Sequence, residues 1–150
     1  MVVSTSRQAS QVGIDILKKG GNAVDAAVAV GFTLAVTSSS NGNIGGGGFM
    51  VARFKDGKTF SLDYREMAPQ AAFKDVFLDS IGNVIDGKST RTHFASGVPG
   101  SVDGLLKAWK DHGSGNISLS ELIGQQLTMQ KMDLSYQSTN HEDSIIESHF

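Results

Sequence analysis

The chain has 150 residues, a formal net charge of -2, 39% hydrophobic residues and no cysteine. That length suits one domain with a real core, burying roughly 68–70% of its unfolded surface. The charge balance argues against a nucleic-acid binder, which needs a basic patch to displace counterions, and the lack of cysteine excludes disulfides and thiol catalysis.

The first residues, Met1 to Arg7, have no basic stretch followed by a long apolar run, so they do not read as a signal peptide. The chain is expected either to stay in the cytoplasm or to have lost an export signal before its present start. Residues 7–19 read as an amphipathic helix. Ala9, Val12 and Ile16 share a stripe with Leu17 beside it, and Lys18 and Lys19 suit the C-terminal end of the dipole. Gly20-Gly21 supplies the stop. Asn22 is then a natural N-cap, with Asp25 in the first turn of a second helix over residues 23–36. That helix is apolar on nearly every face and rich in alanine, which places it in a core, sandwiched against a sheet. It carries Asp25 and Thr33, and is shorter than the ~20 residues a bilayer span needs.

Gly45-Gly46-Gly47-Gly48 leads into a strand over residues 49–54. Asp56-Gly57 turns the chain, and residues 59–66 return as a second strand. Phe60, Leu62 and Tyr64 alternate with Ser61, Asp63 and Arg65, so one face is apolar and the other polar. Residues 71–92 are turn-rich and read as a surface excursion. A third helix follows Gly97-Val98-Pro99-Gly100, with Val102, Leu105, Leu106 and Trp109 at helical spacing and Gly113 as its stop. Ser118-Leu119-Ser120-Glu121 fits a capping box for a fourth helix reaching Leu122, Ile123 and Leu127. Beyond residue 127 the pattern weakens into a polar tail, in which residues 133–137 resemble another helix start.

Few constellations carry chemistry. The glycine run lacks a following Gly-Lys-Ser/Thr and precedes a strand, so it reads as a tight approach to the hairpin rather than a phosphate cradle. His93, His112, His141 and His149 form no metal-ligand spacing, and His112 suits a helix C-terminus. No Gly-x-Ser-x-Gly elbow is present. No cofactor or metal site is expected. Arg65 stands out: on the polar face of a strand end, a guanidinium can hold a carboxylate with two parallel hydrogen bonds.

Four motifs in order resemble the γ-glutamyltransferase large subunit over about residues 2–127. They are Gln11 to Val36 with Gly20-Gly21-Asn22-Ala23-Val24-Asp25-Ala26-Ala27-Val28-Ala29, then Asn43-Ile44-Gly45-Gly46-Gly47-Gly48-Phe49-Met50, Asp63-Tyr64-Arg65-Glu66-Met67-Ala68-Pro69 and Ala95-Ser96-Gly97-Val98-Pro99-Gly100-Ser101-Val102. The resemblance implies an α/β chain forming part of the αββα sandwich of N-terminal-nucleophile hydrolases. It implies a precursor that cuts itself into large and small subunits. A threonine at the new N-terminus attacks the γ-glutamyl carbonyl, with its own amine as base, and backbone N–H groups stabilise the oxyanion. The glutamyl group then passes to water or to an amino-acid or peptide acceptor, glutathione being the typical donor.

By position, Arg65 matches the arginine that binds the glutamyl α-carboxylate, and it is the one substrate contact carried over. The nucleophile and the other glutamyl contacts belong to the small subunit, so no catalytic residue is expected in this chain. Thr92-His93-Phe94 echoes the family's cleavage-point motif, but it lies just before the glycine-proline turn and is not assigned as the nucleophile. Ser38-Ser39-Ser40-Asn41 departs from a stretch that often contains proline. Residues 1–127 are thus expected to be the family segment, and residues 128–150 a truncated or divergent tail. A chain ending at Phe150 is expected to be a fragment, a degraded copy or a frameshifted product. By itself it is expected to be inactive, because the small subunit is missing. The resemblance also implies a periplasmic or extracellular parent. Two alternatives stay open: an acylase of the cephalosporin type, and a non-catalytic remnant.

Overall fold

A computed structural model of the chain describes residues 1–38 and 40–124. Its elements run α1 (Arg7–Lys18), α2 (Ala23–Thr37), β1 (Phe49–Arg53), β2 (Thr59–Asp63), a one-turn α3 (Lys88–Arg91) and α4 (Ser101–His112). Residues 119–124 are also helical. Helix and strand are therefore mixed. The chain divides into two compact units, one made of residues 1–43 and the chain from 105 onward, the other of Ile44–Gly104.

In the first unit, the Ser6 hydroxyl caps α1 by accepting the Ala9 N–H at 3.3 Å. Ala9, Val12 and Ile16 form the expected stripe and are buried. The helix stops at Gly20, whose φ of 92° lies in the left-handed region that glycine adopts without strain. Helix α1 packs on α2, and Gly31 of α2 lets the Leu105 side chain approach closely. Ile16, Val12, Val28 and Leu122 are fully buried, each stabilising the fold by roughly 1.5–3 kcal/mol.

The start of α2 is held more firmly than a simple cap would hold it. Asn22 Oδ1 accepts from the N–H groups of Val24 and Asp25, and Asp25 Oδ2 accepts from the Asn22 N–H at 2.8 Å, a complete capping box. The same Asp25 oxygen accepts the Ser114 N–H at 3.0 Å, and Asn22 Nδ2 donates to the His112 carbonyl at 2.8 Å. Asn116 donates to the Gly20 carbonyl, and Trp109 Nε1 to the Ile117 carbonyl. The N-terminus of α2 and the C-terminus of α4 thus satisfy each other's unpaired backbone groups. The capping box at Ser118 forms as the sequence predicts, with Glu121 accepting from the Ser118 N–H and Ser118 Oγ from the Glu121 N–H.

In the second unit, β1 and β2 form an antiparallel hairpin with register Phe49↔Asp63 to Arg53↔Thr59. Phe60, Leu62 and Tyr64 are half-buried, and Ser61, Asp63 and Arg65 are exposed, as the alternation predicts. The second strand ends at Asp63, three residues earlier than the sequence suggests. Asp63 Oδ1 accepts the Arg65 N–H at 2.9 Å, which turns that amide away from the ladder. Residues 71–92 are mostly turns with exposed side chains, interrupted by a bridge between Leu78 and Val84 and by α3; Val76 is buried and Phe77 and Leu78 are half-buried. On α4, Ser101, Leu105 and Ala108 are buried while Val102 is exposed, so the buried stripe is shifted by one position from the expected one. Leu127, residues 128–150 with the 133–137 motif, His141 and His149 lie outside the described residues.

Replacing Asp25 with Ala leaves the Asn22 and Ser114 N–H groups without their acceptor. The expected loss is roughly 2–4 kcal/mol of unfolding free energy. Urea unfolding followed by the fluorescence of Trp109, the single tryptophan, measures it; a loss below about 0.5 kcal/mol would show that this carboxylate holds nothing together.

Candidate functional site

Arg65 lies two residues past the end of β2, where three backbone segments of the second unit meet. Pairing continues one step beyond the strands: the Tyr64 N–H donates to the Gly48 carbonyl at 3.0 Å, and the Gly48 N–H to the Tyr64 carbonyl at 3.4 Å. Met67 and Val98 exchange backbone hydrogen bonds of 3.1 and 2.7 Å. The N–H groups of Gly100 and Ser101 both donate to the Gly46 carbonyl, at 2.8 and 3.0 Å. Residues 64–67 are therefore flanked by the glycine run on one side and by residues 98–101 on the other.

That approach is closer than any side chain would allow. A Cβ at Gly47 would lie 2.4 Å from the Glu66 nitrogen and 2.6 Å from the Arg65 Cα. A Cβ at Gly48 would lie 2.8 Å from the Tyr64 ring, and one at Gly104 2.1 Å from Tyr64 Cγ. The glycine run is a place where backbones touch, which agrees with the reading of it as a tight approach to the hairpin. Burial raises the Tyr64 phenol above its ordinary pKa.

The Arg65 side chain emerges from this clamp into the open. Its side chain is 64% exposed, and its one ion pair among the described residues is a long contact of 3.8 Å to Glu66, worth little at an exposed position. Arg65 also lines a cavity of about 610 Å³, together with Met67, Phe73, Val76, Phe94 and the basic Lys74. A mostly apolar hollow with a few charged groups is the usual form of a small-molecule site.

The other residues singled out in the sequence do not assemble into a reactive centre. The Thr92 hydroxyl is exposed and donates to the Lys88 carbonyl at 2.7 Å. His93 packs on the Phe94 ring, and Lys88 lies 5.1 Å above that ring. His112 ends α4. Among the described residues, no group of three His, Asp or Glu side chains is placed to hold a metal ion. Sequence reasoning placed Tyr64 on the apolar face of the second strand but missed Gly100 and Gly104 as its neighbours. The spacing of those two glycines across the start of α4 was the available signal.

The family described as gamma-glutamyltranspeptidase matches residues 9–131. The chain is 56% identical over 114 residues to the glutathione hydrolase proenzyme of Escherichia coli strain K12, covering 76% of this chain and 20% of that protein. It is 49% identical over 129 residues to the glutathione hydrolase proenzyme of Pseudomonas sp. strain A14, covering 86% and 22%. Among solved structures, it resembles the gamma-glutamyltranspeptidase of Helicobacter pylori with a TM-score of 0.80 at 44% identity, over 86% of this chain and 36% of that one. For the enzyme of Pseudomonas nitroreducens complexed with L-DON the TM-score is 0.74 at 44% identity, over 90% and 44%. The chain spans about a fifth of the length of these curated relatives.

Because the atoms facing Gly47 are backbone, they cannot swing aside. Gly47→Ala is expected to destabilise the Ile44–Gly104 unit by roughly 1–3 kcal/mol. Amide hydrogen exchange read at Tyr64, Met67 and Val98 should accelerate while the amides of α1 and α2 keep their protection; unchanged exchange at all three would rule out the close packing described.

Proposed function

The chain belongs to the γ-glutamyltranspeptidase family, and we propose that it is a large-subunit segment of an enzyme that cleaves γ-glutamyl bonds and passes the glutamyl group to water or to an amino-acid or peptide acceptor. Arg65 is its substrate contact and grips the α-carboxylate of the donor. Glutathione is the donor class suggested by the relatives, which are named glutathione hydrolases. The nucleophile comes from a second subunit of the same precursor, a reading supported by their description as proenzymes. The chain alone is therefore inactive.

The observation that carries this reading is the state of Arg65. Its side chain is largely exposed beside a mostly apolar cavity, its one ion pair among the described residues is the long contact to Glu66, and its backbone is clamped. A carboxylate arriving there gains two parallel charge-assisted hydrogen bonds and displaces only a weak contact.

The family segment is assigned to residues 1–127, and the chain is part of an αββα sandwich. Two observations support this. A hairpin of two strands is marginal in water without further strands or a covering layer, and Phe49 and Val51 stand exposed on one face of β1. No helix among the described residues is long and apolar enough to cross a membrane. Periplasmic or extracellular residence of the parent follows from the family reading. A second reading, a non-catalytic remnant of the family, predicts the same exposed apolar surface.

The test is Arg65→Ala in a complete precursor, made by joining this segment to the remaining residues of the Escherichia coli relative. Leaving the carboxylate unpaired should cost roughly 2–5 kcal/mol, seen as a rise in KM for γ-glutamyl-p-nitroanilide of about thirty-fold or more, with Arg65→Lys in between. An unchanged KM would remove the role given to Arg65. A wild-type join that folds and matures but never turns over would favour the remnant.

A further inference from the structure

We infer that Tyr64 is a positioning residue for Arg65, its ring lodged between Gly48 and Gly104 so that the neighbouring guanidinium leaves the backbone from one fixed point. The inference rests on the proposed role of Arg65 as the carboxylate anchor, and names the device that aims it.

An arginine side chain has four rotatable bonds, so its reach is useful only if its root is fixed. An exposed arginine two residues past a strand end has no such support from the ladder. Here the support comes from its neighbour. Tyr64 exchanges two backbone hydrogen bonds with Gly48. Its ring lies where any side chain at Gly48 would begin, 2.8 Å from a Cβ placed there, with the phenol oxygen at 3.0 Å. The other side of the residue meets Gly104, at 2.1 and 2.2 Å from a Cβ to Tyr64 Cγ and Cβ. The Tyr64 carbonyl is stopped by Gly100, and the Arg65 Cα by Gly47. The main chain at 64–65 is thus closely flanked by Gly47, Gly48, Gly100 and Gly104.

The hydroxyl is not what seats it, since it makes no hydrogen bond among the described residues. The ring fills the slot by volume. A small side chain would empty the slot and free the backbone by about an ångström, a displacement that can cost on the order of a hundredfold in a positioned site.

A double-mutant cycle in the joined precursor tests this, using γ-glutamyl-p-nitroanilide. Tyr64→Ala should raise KM by roughly 10- to 100-fold, and Tyr64→Phe should stay within about twofold of the parent. In the Arg65→Ala background, the Tyr64→Ala effect on KM should nearly vanish, because the group being aimed is gone. A KM effect of equal size in both backgrounds overturns the inference, as does a Phe variant as impaired as the Ala variant. If Tyr64→Ala gives no folded protein, Tyr64→Leu replaces it, with a smaller rise in KM and the same dependence on Arg65. The two ideas fail separately. Normal KM in Arg65→Ala defeats the carboxylate anchor, whereas an altered KM there with additive Tyr64 effects defeats only the positioning role.

Discussion

Main chain pressed against main chain is the constraint on which the Ile44–Gly104 unit depends. Gly47 abuts the backbone of residues 64–66, Gly100 abuts the Tyr64 carbonyl, and Gly48 and Gly104 hold the Tyr64 ring between them. Such contact excludes side chains from four positions on two separate segments, and no hydrophobic residue substitutes for it. It also creates a polar accounting problem, because every N–H and C=O brought inside must find a partner. The Gly46 carbonyl answers it by accepting two N–H groups, and Met67 and Val98 by pairing with each other. Glycine is thus used here for proximity, where elsewhere in the chain it serves to turn a corner.

The other unit meets the same accounting problem with side chains. The N-terminus of α2 offers unpaired N–H groups and the C-terminus of α4 offers unpaired carbonyls. Asn22 and Asp25 serve both ends, with Asp25 fully buried and its Oδ2 shared between Asn22 and Ser114. A buried carboxylate is costly unless hydrogen-bonded, so its tolerance in an otherwise alanine-rich helix depends on those two donors. Its Oδ1 has no hydrogen-bond partner among the described residues and lies beside Gly113.

Local rules made much of this legible. Asn22 and Asp25 three residues apart, Ser118 and Glu121 likewise, the stripe of Ala9, Val12 and Ile16, and the alternation of Phe60, Leu62 and Tyr64 all act within a turn or a strand, where sequence spacing equals spatial spacing. What escaped reading was set by residues distant in sequence. Ser114 reaches Asp25 from far along the chain, and Gly104 meets Tyr64 across the whole turn-rich excursion. The shifted stripe of α4 has the same origin: Val102 fits the helical period, but close packing at Gly104 and Leu105 decides which side faces inward. The early end of β2 was readable in principle, since Asp63 two residues before Arg65 is a pattern in which a side chain captures a nearby amide. Arg65 itself drew notice for its chemistry and not for its surroundings.

The two units also differ in how they treat large apolar side chains. The first buries Val12, Ile16, Val28, Phe32 and Leu122, whereas Phe49, Val51, Met67, Phe73 and Phe94 in the second remain exposed. The second unit holds a hairpin, a one-turn helix and connecting turns, with no long helix of its own to lay over the strands. Exposed apolar area on that scale marks a surface built to be covered. With the chain spanning about a fifth of its relatives' length, the proposed reading gives a reason for the asymmetry. On that reading the exposed faces of Phe49 and Val51 are surfaces that the remaining length of the protein covers, and the close backbone contacts at residues 64–66 fix the root of the proposed anchor.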